Sequence, residues 1–381
     1  MKPDKQIDMY AAAYLAGHGK RQSEISTALG VSQAAVSRML RTTKDKYWRE
    51  SAEFMRADLD EATMHTVLQR IGENKLADAL RATVQRRTGG RRRGPVLSVF
   101  SGGREKAPIE VRMAEFAKNA APHVREILMG ARICGLTWGG MLWHLTNALR
   151  SLQIPTPWTH TIDCIPLTGE PLGSIPTSFS SSSLAADLGR IANGDAYHAR
   201  SIAMVPAFIP ENFTAAQLRG VWKLIELVPS YSEIFSISGS SRGRKKLRLS
   251  ENLDTILTSV GPSNQVFGFG SSRLFEAGRV SIARLQSLVI GEMGGVSFPR
   301  PDLTASEKKE LKSVEDRWTG LNRDTLEACS AAAEADPARP GVVVVCGGAA
   351  RAQVVFEALD VIKHLVIDDA LASALTKLAC S

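Results

Sequence analysis

Gln33, Ala34, Ser37, Arg38 and Arg41 are the residues whose types and spacing first point to chemistry. At helical periodicity Gln33, Ser37 and Arg41 share one face at i, i+4 and i+8, with Ala34 and Arg38 beside them. That face is small, polar and basic, as a helix entering a DNA major groove requires. Arginine can fork onto guanine, glutamine can pair with adenine, and alanine can touch a thymine methyl. Arg21 and Lys44 flank the face as candidate phosphate contacts, which hold a protein on a duplex without reading sequence.

Such a face needs elements that hold it at a fixed angle. Residues 22–29 read as a helix with Ile25, Ala28 and Leu29 at apolar positions. Gly30 can take the left-handed conformation that ends a helix cheaply. Val31 fills the turn, and the Ser32 hydroxyl can cap the second helix. Val36, Met39 and Leu40 point back into the pair, so the spacing predicts a helix-turn-helix. A supporting helix is expected over 5–16, with Met9, Tyr10, Ala13 and Tyr14 on one side. Arg21 stands where a capping side chain is usual and has no acceptor to offer, a loss of about 1 kcal/mol. A cation at the positive end of a helix is also unfavourable. A DNA phosphate nearby would offset both.

The chain has 381 residues, enough for two or three domains with a sizeable core. A hydrophobic share of 44% with 23% charged residues excludes a mostly disordered chain, and the net charge of +8 favours a polyanionic partner. The five cysteines are widely spaced and none forms a CxxC pair, so no metal site is expected and reduced, buried thiols are. No uncharged apolar run is long enough to span a membrane, and the first residues lack the apolar core of a signal peptide, so the expected location is the cytoplasm.

Lys44, Lys46 and Arg49 continue the basic surface beyond the second helix. From Asp58 to Val84 the pattern is helical, with Leu59, Val67, Leu68, Ile71, Leu76 and Leu80 as a stripe suited to a dimer contact or to packing on the next domain. Arg86, Arg87, Arg91, Arg92 and Arg93 surround Gly89-Gly90 and read as a flexible basic loop, either a solvated linker or a DNA contact.

From Pro95 onward short apolar runs end in Gly-, Pro- or Ser-rich loops and helical patterns follow. Strands are expected within 96–103, 132–140, 163–170, 200–209, 254–262, 341–349 and 364–369, and helices within 109–128, 141–151, 181–193, 214–227, 350–359 and 369–379. Strands without alternation, each followed by a helix, imply an α/β domain with a doubly wound, mostly parallel sheet covered on both faces. Glycines recur at the expected C-terminal ends of strands, at 102–103, 139–140, 169, 261 and 347–348. That end of an open α/β sheet is where ligands bind, and glycine with helix N-termini favours a phosphorylated or polyhydroxylated small molecule. The basic stretch 242–248 reads as an exposed or mobile loop, and 291–302 as a glycine-rich loop without pattern.

Taken together these residues resemble the SorC family of bacterial sugar-responsive transcriptional regulators. The marks are EISTALGVSQAAVSRMLR at 24–41, LTWGG at 136–140, IPLTGE at 165–170, VPAFI at 205–209, TSVGP at 258–262, IGEMGG at 290–295, VCGGAAR at 345–351 and LVIDDALASAL at 365–375. The resemblance implies a helix-turn-helix head and an effector domain related in fold to ribose-phosphate isomerase and glucosamine-phosphate deaminase. It implies a sugar, polyol or sugar-phosphate effector and a homodimer or homotetramer on a palindromic double-stranded DNA operator. By the same resemblance Trp138, Gly139 and Gly140 lie in the first ligand loop and Gly169 in the second. Ser181 and Ser182 cap the helix facing the ligand, and Gly261 and Glu292 line the crevice. Arg351 stands where the family usually has lysine, and Asp368 where it often has threonine. Met141 replaces a small hydroxyl residue, Glu170 brings a negative charge that would repel a phosphate, and KYWRES replaces the usual glycine-led wing after Arg41.

The expected organisation is a head over 1–50, a helical linker over 51–94 and an effector and oligomerisation domain over 95–381. An isomerase or deaminase fused to such a head is the alternative, for which Glu292, Asp368, Asp369 and His364 are the available acids and bases. No compact motif brings them together, so the expectation is a regulator without catalytic residues, cofactor or metal.

Overall fold

The computed structural model describes residues 3–17, 20–47, 61–103, 107–152, 158, 160–170, 177–198, 200–202, 205–209, 213–235, 249–263 and 282–379. They gather into two units, Met1–Ala82 and Thr83–Ser381.

In the first unit α1 (Pro3–Gly17), α2 (Gln22–Leu29) and α3 (Gln33–Tyr47) enclose Ala11, Ala12, Ile25, Leu29 and Val36, with Tyr10, Tyr14, Met39 and Leu40 packed partly buried around them. The alanines let α1 lie close to its partners, and the larger side chains of α2 and α3 fill the space left. α3 continues past Arg41 to Tyr47, and the buried Thr43 hydroxyl donates to the Met39 carbonyl at 2.8 Å. α4 (Glu61–Thr88) follows. Of the apolar stripe expected there, Leu59 lies outside the described residues. Leu76 and Leu80 are already buried within the single chain, which removes both from any face left for a dimer partner.

The second unit is built on a parallel sheet. Among the described residues its strands are β1 (Val96–Phe100), β2 (Ile133–Leu136), β3 (Asp163–Pro166), β4 (Thr255–Thr258), β8 (Gly341–Cys346) and β9 (His364–Asp368), in the order β1-β9-β8-β4-β2-β3. Alternate residues of a strand face opposite sides. Val343 and Val345 of β8 join a cluster with α5 (Ile109–Leu128), α6 (Gly140–Arg150) and α7 (Ser181–Asn193), while Val342 and Val344 on the other face are equally buried. Both faces are therefore covered, and the unbroken GVVVVC run needs no alternation. Phe116, Ala120 and Val124 of α5 and Leu142, Leu145 and Leu149 of α6 belong to the helical side of that cluster. The first strand pairs with the last, from Val96↔His364 to Phe100↔Asp368.

A second sheet follows β4 at once. β5 (Val260–Pro262), β6 (Val289–Met293) and β7 (Val296–Pro299) run antiparallel, with α10 (Ile282–Leu288) leading into β6. Here the sequence expectation fails: 291–302 is a hairpin, not a patternless loop. Every residue of β6 and the first three of β7 are buried, so no polar alternation marks them. Gly294 and Gly295, at φ +57° and +93°, form the tight turn, for which two residues with positive φ are suited. The strand expected within 200–209 is absent from the described residues. Only isolated bridges occur there, Glu170↔Pro206 and Phe208↔Trp318, since Pro206 cannot donate to a ladder and the apolar residues are buried by packing.

The remaining helices are α8 (Ala215–Glu226), α9 (Pro229–Ile234), α11 (Ala305–Glu315), α12 (Arg323–Ala335), α13 (Ala352–Ala358) and α14 (Asp369–Ala379). The arginine-rich stretch that begins in the last turn of α4 and runs past it is not a free loop. Arg87 donates to the Phe356 carbonyl at 2.8 Å and lies over the Phe356 ring, Arg92 donates to the Ser330 hydroxyl, and Arg93 is 3.8 Å from Glu334. These contacts anchor it on α12 and α13. The basic stretch 242–248 lies outside the described residues.

Candidate functional site

The head presents one candidate surface. Gly30, at φ +63°, ends α2, and the Val31 N–H reaches back to the Ser26 carbonyl at 3.1 Å. The Ser26 hydroxyl returns the bond to the Val31 carbonyl at 2.6 Å, so the turn is closed from both sides. Ser32 caps α3 by accepting from the Ala35 N–H at 3.2 Å. With Val36 buried below, Gln33, Ala34, Arg38 and Arg41 face solvent, while Ser37 is half-buried. Lys44 falls in the same helix. Among the described residues, neither the Arg38 nor the Arg41 guanidinium is held by a hydrogen bond or ion pair. Arg21 occupies the N-cap of α2 with no side-chain bond. Its backbone N–H instead donates to Glu24 at 2.8 Å, and that bond, ahead of the nearby Lys20 and Arg21 charges, lowers the Glu24 carboxyl below its ordinary value.

The second candidate surface lies at the C-terminal ends of the parallel strands. The chain winds outward from β2 to β3, then returns to the other side of β2 with β4, from which β8 and β9 follow in the opposite direction. The winding reverses between β2 and β4, the place where an open α/β sheet leaves a crevice. Thr137 and Thr258 join hydroxyls across that gap at 2.9 Å. Gly139, at φ +125°, donates to the Phe179 carbonyl, and Gly140 opens α6 without a side-chain cap. Trp138 is buried, its ring 5.7 Å from that of Trp318.

Gly169 is wedged: a Cβ there would meet the Pro206 carbonyl and the Thr319 hydroxyl at 2.7 Å. The expected caps of α7 need correction. Ser180 is the N-cap, accepting from the Ser183 N–H at 3.2 Å. Ser181 turns inward. Its hydroxyl donates to the Leu136 carbonyl at 2.8 Å and accepts from Leu167 N–H at 2.9 Å, tying the ends of β2 and β3 together. Ser182 accepts from the Ile202 N–H. In a run of four serines, helical spacing alone does not decide which one caps.

Around β8 and β9 the polar groups are engaged with one another. Asp368 is buried and accepts the Gly348 N–H at 2.9 Å and the Leu371 N–H at 2.8 Å, so it caps α14 and braces the double-glycine loop together. Gly347 gives this carboxylate room, since a Cβ there would lie 2.6 Å from one of its oxygens. Asp369 accepts the Gly102 N–H at 3.3 Å. Arg351 donates through Nε to the Val260 carbonyl at 3.0 Å and through Nη1 to the Gly347 carbonyl at 2.7 Å. Glu292 pairs in register with Gly261 and is buried, accepting the Gly295 N–H. Burial pushes its carboxyl up to about 7, against the opposing pull of that N–H and the Arg351 charge.

Trp318 and Ser180 belong to this region and escaped the sequence reading, because neither carries a pattern of its own, while Thr258 was noted only as the start of TSVGP. His364 does not belong to it. It begins β9, whereas Asp368 ends that strand, so the histidine is held at the opposite end of the strand from Asp368 and Asp369. Burial pushes His364 down to about 4, with the His123 and Lys363 charges adding to the effect. A general acid–base set from these four residues is therefore not assembled. A cavity of about 430 Å³ lies against β7, α11 and the start of α12, with Phe208, Val296 and Lys312 in its lining beside the same Trp318. Among the described residues no cluster of His, Cys, Asp or Glu stands ready to hold a metal ion, and no helix is long and apolar enough to cross a membrane.

No protein-family model matches the chain, and no curated protein matches it. Solved structures do. The full-length sorbitol operon regulator SorC from Klebsiella pneumoniae is 15% identical with a TM-score of 0.54, covering 98% of this chain and 99% of its own. A DeoR family transcriptional regulator from Listeria monocytogenes is 16% identical with a TM-score of 0.51, covering 78% of this chain and 99% of its own. A transcriptional regulator from Streptococcus pneumoniae is 14% identical with a TM-score of 0.52, covering 80% and 98%. At these identities the likeness is one of fold: a helical N-terminal region followed by a mostly parallel α/β domain, as in the SorC and DeoR regulators.

Proposed function

We propose that this chain is a DNA-binding transcriptional regulator whose operator binding is controlled by a sugar, polyol or sugar phosphate bound at the strand ends of its α/β domain. The observation that carries the reading is the outer face of α3, where Gln33, Ala34, Arg38 and Arg41 stand exposed on a helix capped by Ser32. Arg21, Ser37 and Lys44 complete the surface, with lysine and arginine setting affinity through phosphates and the α3 side chains reading base edges. The head is assigned to 1–50, the linker to 51–94 and the effector and oligomerisation domain to 95–381. In the effector site we place Trp138, Gly139, Gly140, Gly169, Ser181, Ser182, Gly261, Glu292, Arg351 and Asp368, some through contact and some by shaping the loops. The reading is supported by a chain-reversal crevice bearing glycine loops and by the fold likeness to a structure described as a putative sugar-binding domain of a transcriptional repressor from Vibrio fischeri. A homodimer or homotetramer on a palindromic site, working in the cytoplasm, fits such a regulator. The effector acts through its different affinity for two states of the protein, by linkage.

The test is selection of bound sequences from a random duplex pool by the full chain, repeated with sugars, polyols and their phosphates. The expected result is a palindromic preference that one of these ligands strengthens or abolishes. Binding that depends on salt but on no sequence would overturn the reading.

A further inference from the structure

The cavity of about 430 Å³ beside Trp318 has no part in the function proposed above. Small-molecule sites commonly enclose about 300–1,000 Å³, so it is large enough to hold one. The Gly294-Gly295 turn separates it from the strand ends. A Cβ on Gly294 would strike the Thr137 and Thr258 side chains at the strand ends, whereas a Cβ on Gly295 would strike the Trp318 ring on the cavity side. None of the residues assigned to the effector site lines this cavity. Phe208, Val296, Trp318 and Leu321 give it an apolar wall with two aromatic rings.

Charge decides what that wall can hold. Two cations line the cavity, and both are engaged. The Lys312 ammonium donates to Asp316, one helical turn on. Arg323 donates through Nε to Glu327 at 2.9 Å, lies 3.6 Å from Asp360 and stacks over the Phe298 ring. The two carboxylates of the lining are Glu315, at the end of α11, and Asp324, in the first turn of α12. Among the described residues neither has a side-chain hydrogen bond or ion pair. Lys312 and Arg323 thus stand against Glu315, Asp324 and the three acids that already hold them, so the surroundings are acidic. Burial, the largest influence on Glu315, raises its carboxyl above the ordinary value against the pull of Lys312. A carboxylate kept partly from water and given no donor is an unsatisfied acceptor. An ammonium group supplies the missing donor and is also attracted to aromatic faces such as that of Trp318. An anion would meet the same carboxylates and be repelled.

We propose that this cavity is a second ligand site, separate from the effector crevice, for a small organic amine with an apolar body, held by Glu315 and Asp324 against Phe208 and Trp318. The proposal does not depend on the effector reading. Its test is calorimetric titration of the full chain with tryptamine, tryptophol and indole-3-acetate, which carry an ammonium, a hydroxyl and a carboxylate on the same ring. The expected result is that the amine binds and the alcohol binds at least tenfold more weakly, as loss of a hydrogen bond between charged groups implies. The carboxylate should be the weakest of the three. Glu315→Gln, which keeps the size of the side chain, should bring the amine down to the affinity of the alcohol and leave the alcohol nearly unchanged. Asp324→Asn, at an exposed residue, should weaken the amine severalfold and serves if the first variant folds poorly. Tryptophol or indole-3-acetate binding as tightly as tryptamine overturns the ligand class. Tryptamine binding unchanged in both variants, or absent at millimolar concentration, overturns the site. Either failure leaves the sugar-effector reading standing.

Discussion

Two arginine-bearing regions of this molecule treat the same side chain in opposite ways. In the head, Arg38 and Arg41 lie on an exposed helical face, and among the described residues neither guanidinium has an internal acceptor. In the body, Arg87, Arg92 and Arg351 are all fastened to carbonyls or hydroxyls of the protein itself. The net charge of +8 does not distinguish them. What distinguishes them is whether the guanidinium donors are still open, since a polyanion can only be recognised by donors that are free to meet it. Basic composition therefore does not tell which arginines could meet a polyanion: several of those along residues 86–93 are engaged within the protein.

The sharpest contrast between the regions concerns backbone turns with positive φ. Gly295→Ala places a Cβ 1.8 Å from the Trp318 ring, in addition to the left-handed strain, and should cost about 3 kcal/mol or more. Gly30→Ala in the head meets nothing nearer than 3.8 Å and should cost only about 1–2 kcal/mol. Chemical denaturation of both variants measures the difference; equal costs would mean that the hairpin turn relaxes freely.

The next largest effect is pH-dependent. Glu292 has a folded pKa of about 7 against an ordinary 4.5, so its contribution is fully present below 4.5 and is lost as pH rises through 7. Glu292→Gln should remove that slope and stabilise the body at pH 8 by up to about 3 kcal/mol. His364 acts with the opposite sign. Its folded pKa of about 4 lies below the ordinary 6.5, so stability is retained above 6.5 and falls as pH drops toward 4. His364→Gln should flatten that acid limb. Because the two slopes oppose each other over nearly the same pH range, they largely cancel in the parent and are separated by the variants: melting curves at stepped pH should diverge from the parent in opposite directions, and a variant whose profile matches the parent's would refute the burial assignment of its residue.

On DNA, Arg38→Ala should relax preference at one base position by about 1–3 kcal/mol while leaving the melting temperature near that of the parent. An unchanged footprint and sequence preference would move the reading surface to another helix. The smallest effect is expected at Arg21. Replacing it with threonine supplies the missing cap, raising stability by about 1 kcal/mol and weakening binding to a duplex. Unchanged affinity for DNA would assign Arg21 no phosphate contact.

The head was legible almost residue by residue, because Gly30, Ser32 and the apolar register of Ile25, Leu29 and Val36 are local signals that agree. The parallel strands were legible as well, since a run such as GVVVVC has few alternatives. The β6–β7 hairpin was not, because its burial hides the alternation that marks a strand. The roles within the crevice were legible only in part. Asp368 and Arg351 stand at the positions the motifs pointed to, yet their acceptors and donors come from segments far away in sequence. Spacing shows where a carboxylate sits, and only three-dimensional packing shows what already binds it.

The pairing of β1 with β9 has a consequence for synthesis. The opening strand of the body has no neighbour until His364–Asp368 has been translated, because β9 is the partner that joins it to the rest of the sheet. At roughly 5–20 residues per second the ribosome takes on the order of tens of seconds to cover that interval. The helical head, closed by neighbours in sequence, has no such wait. Newly made chains would thus carry a finished head beside an open sheet edge, and loss of the last twenty or so residues would leave that edge permanently bare.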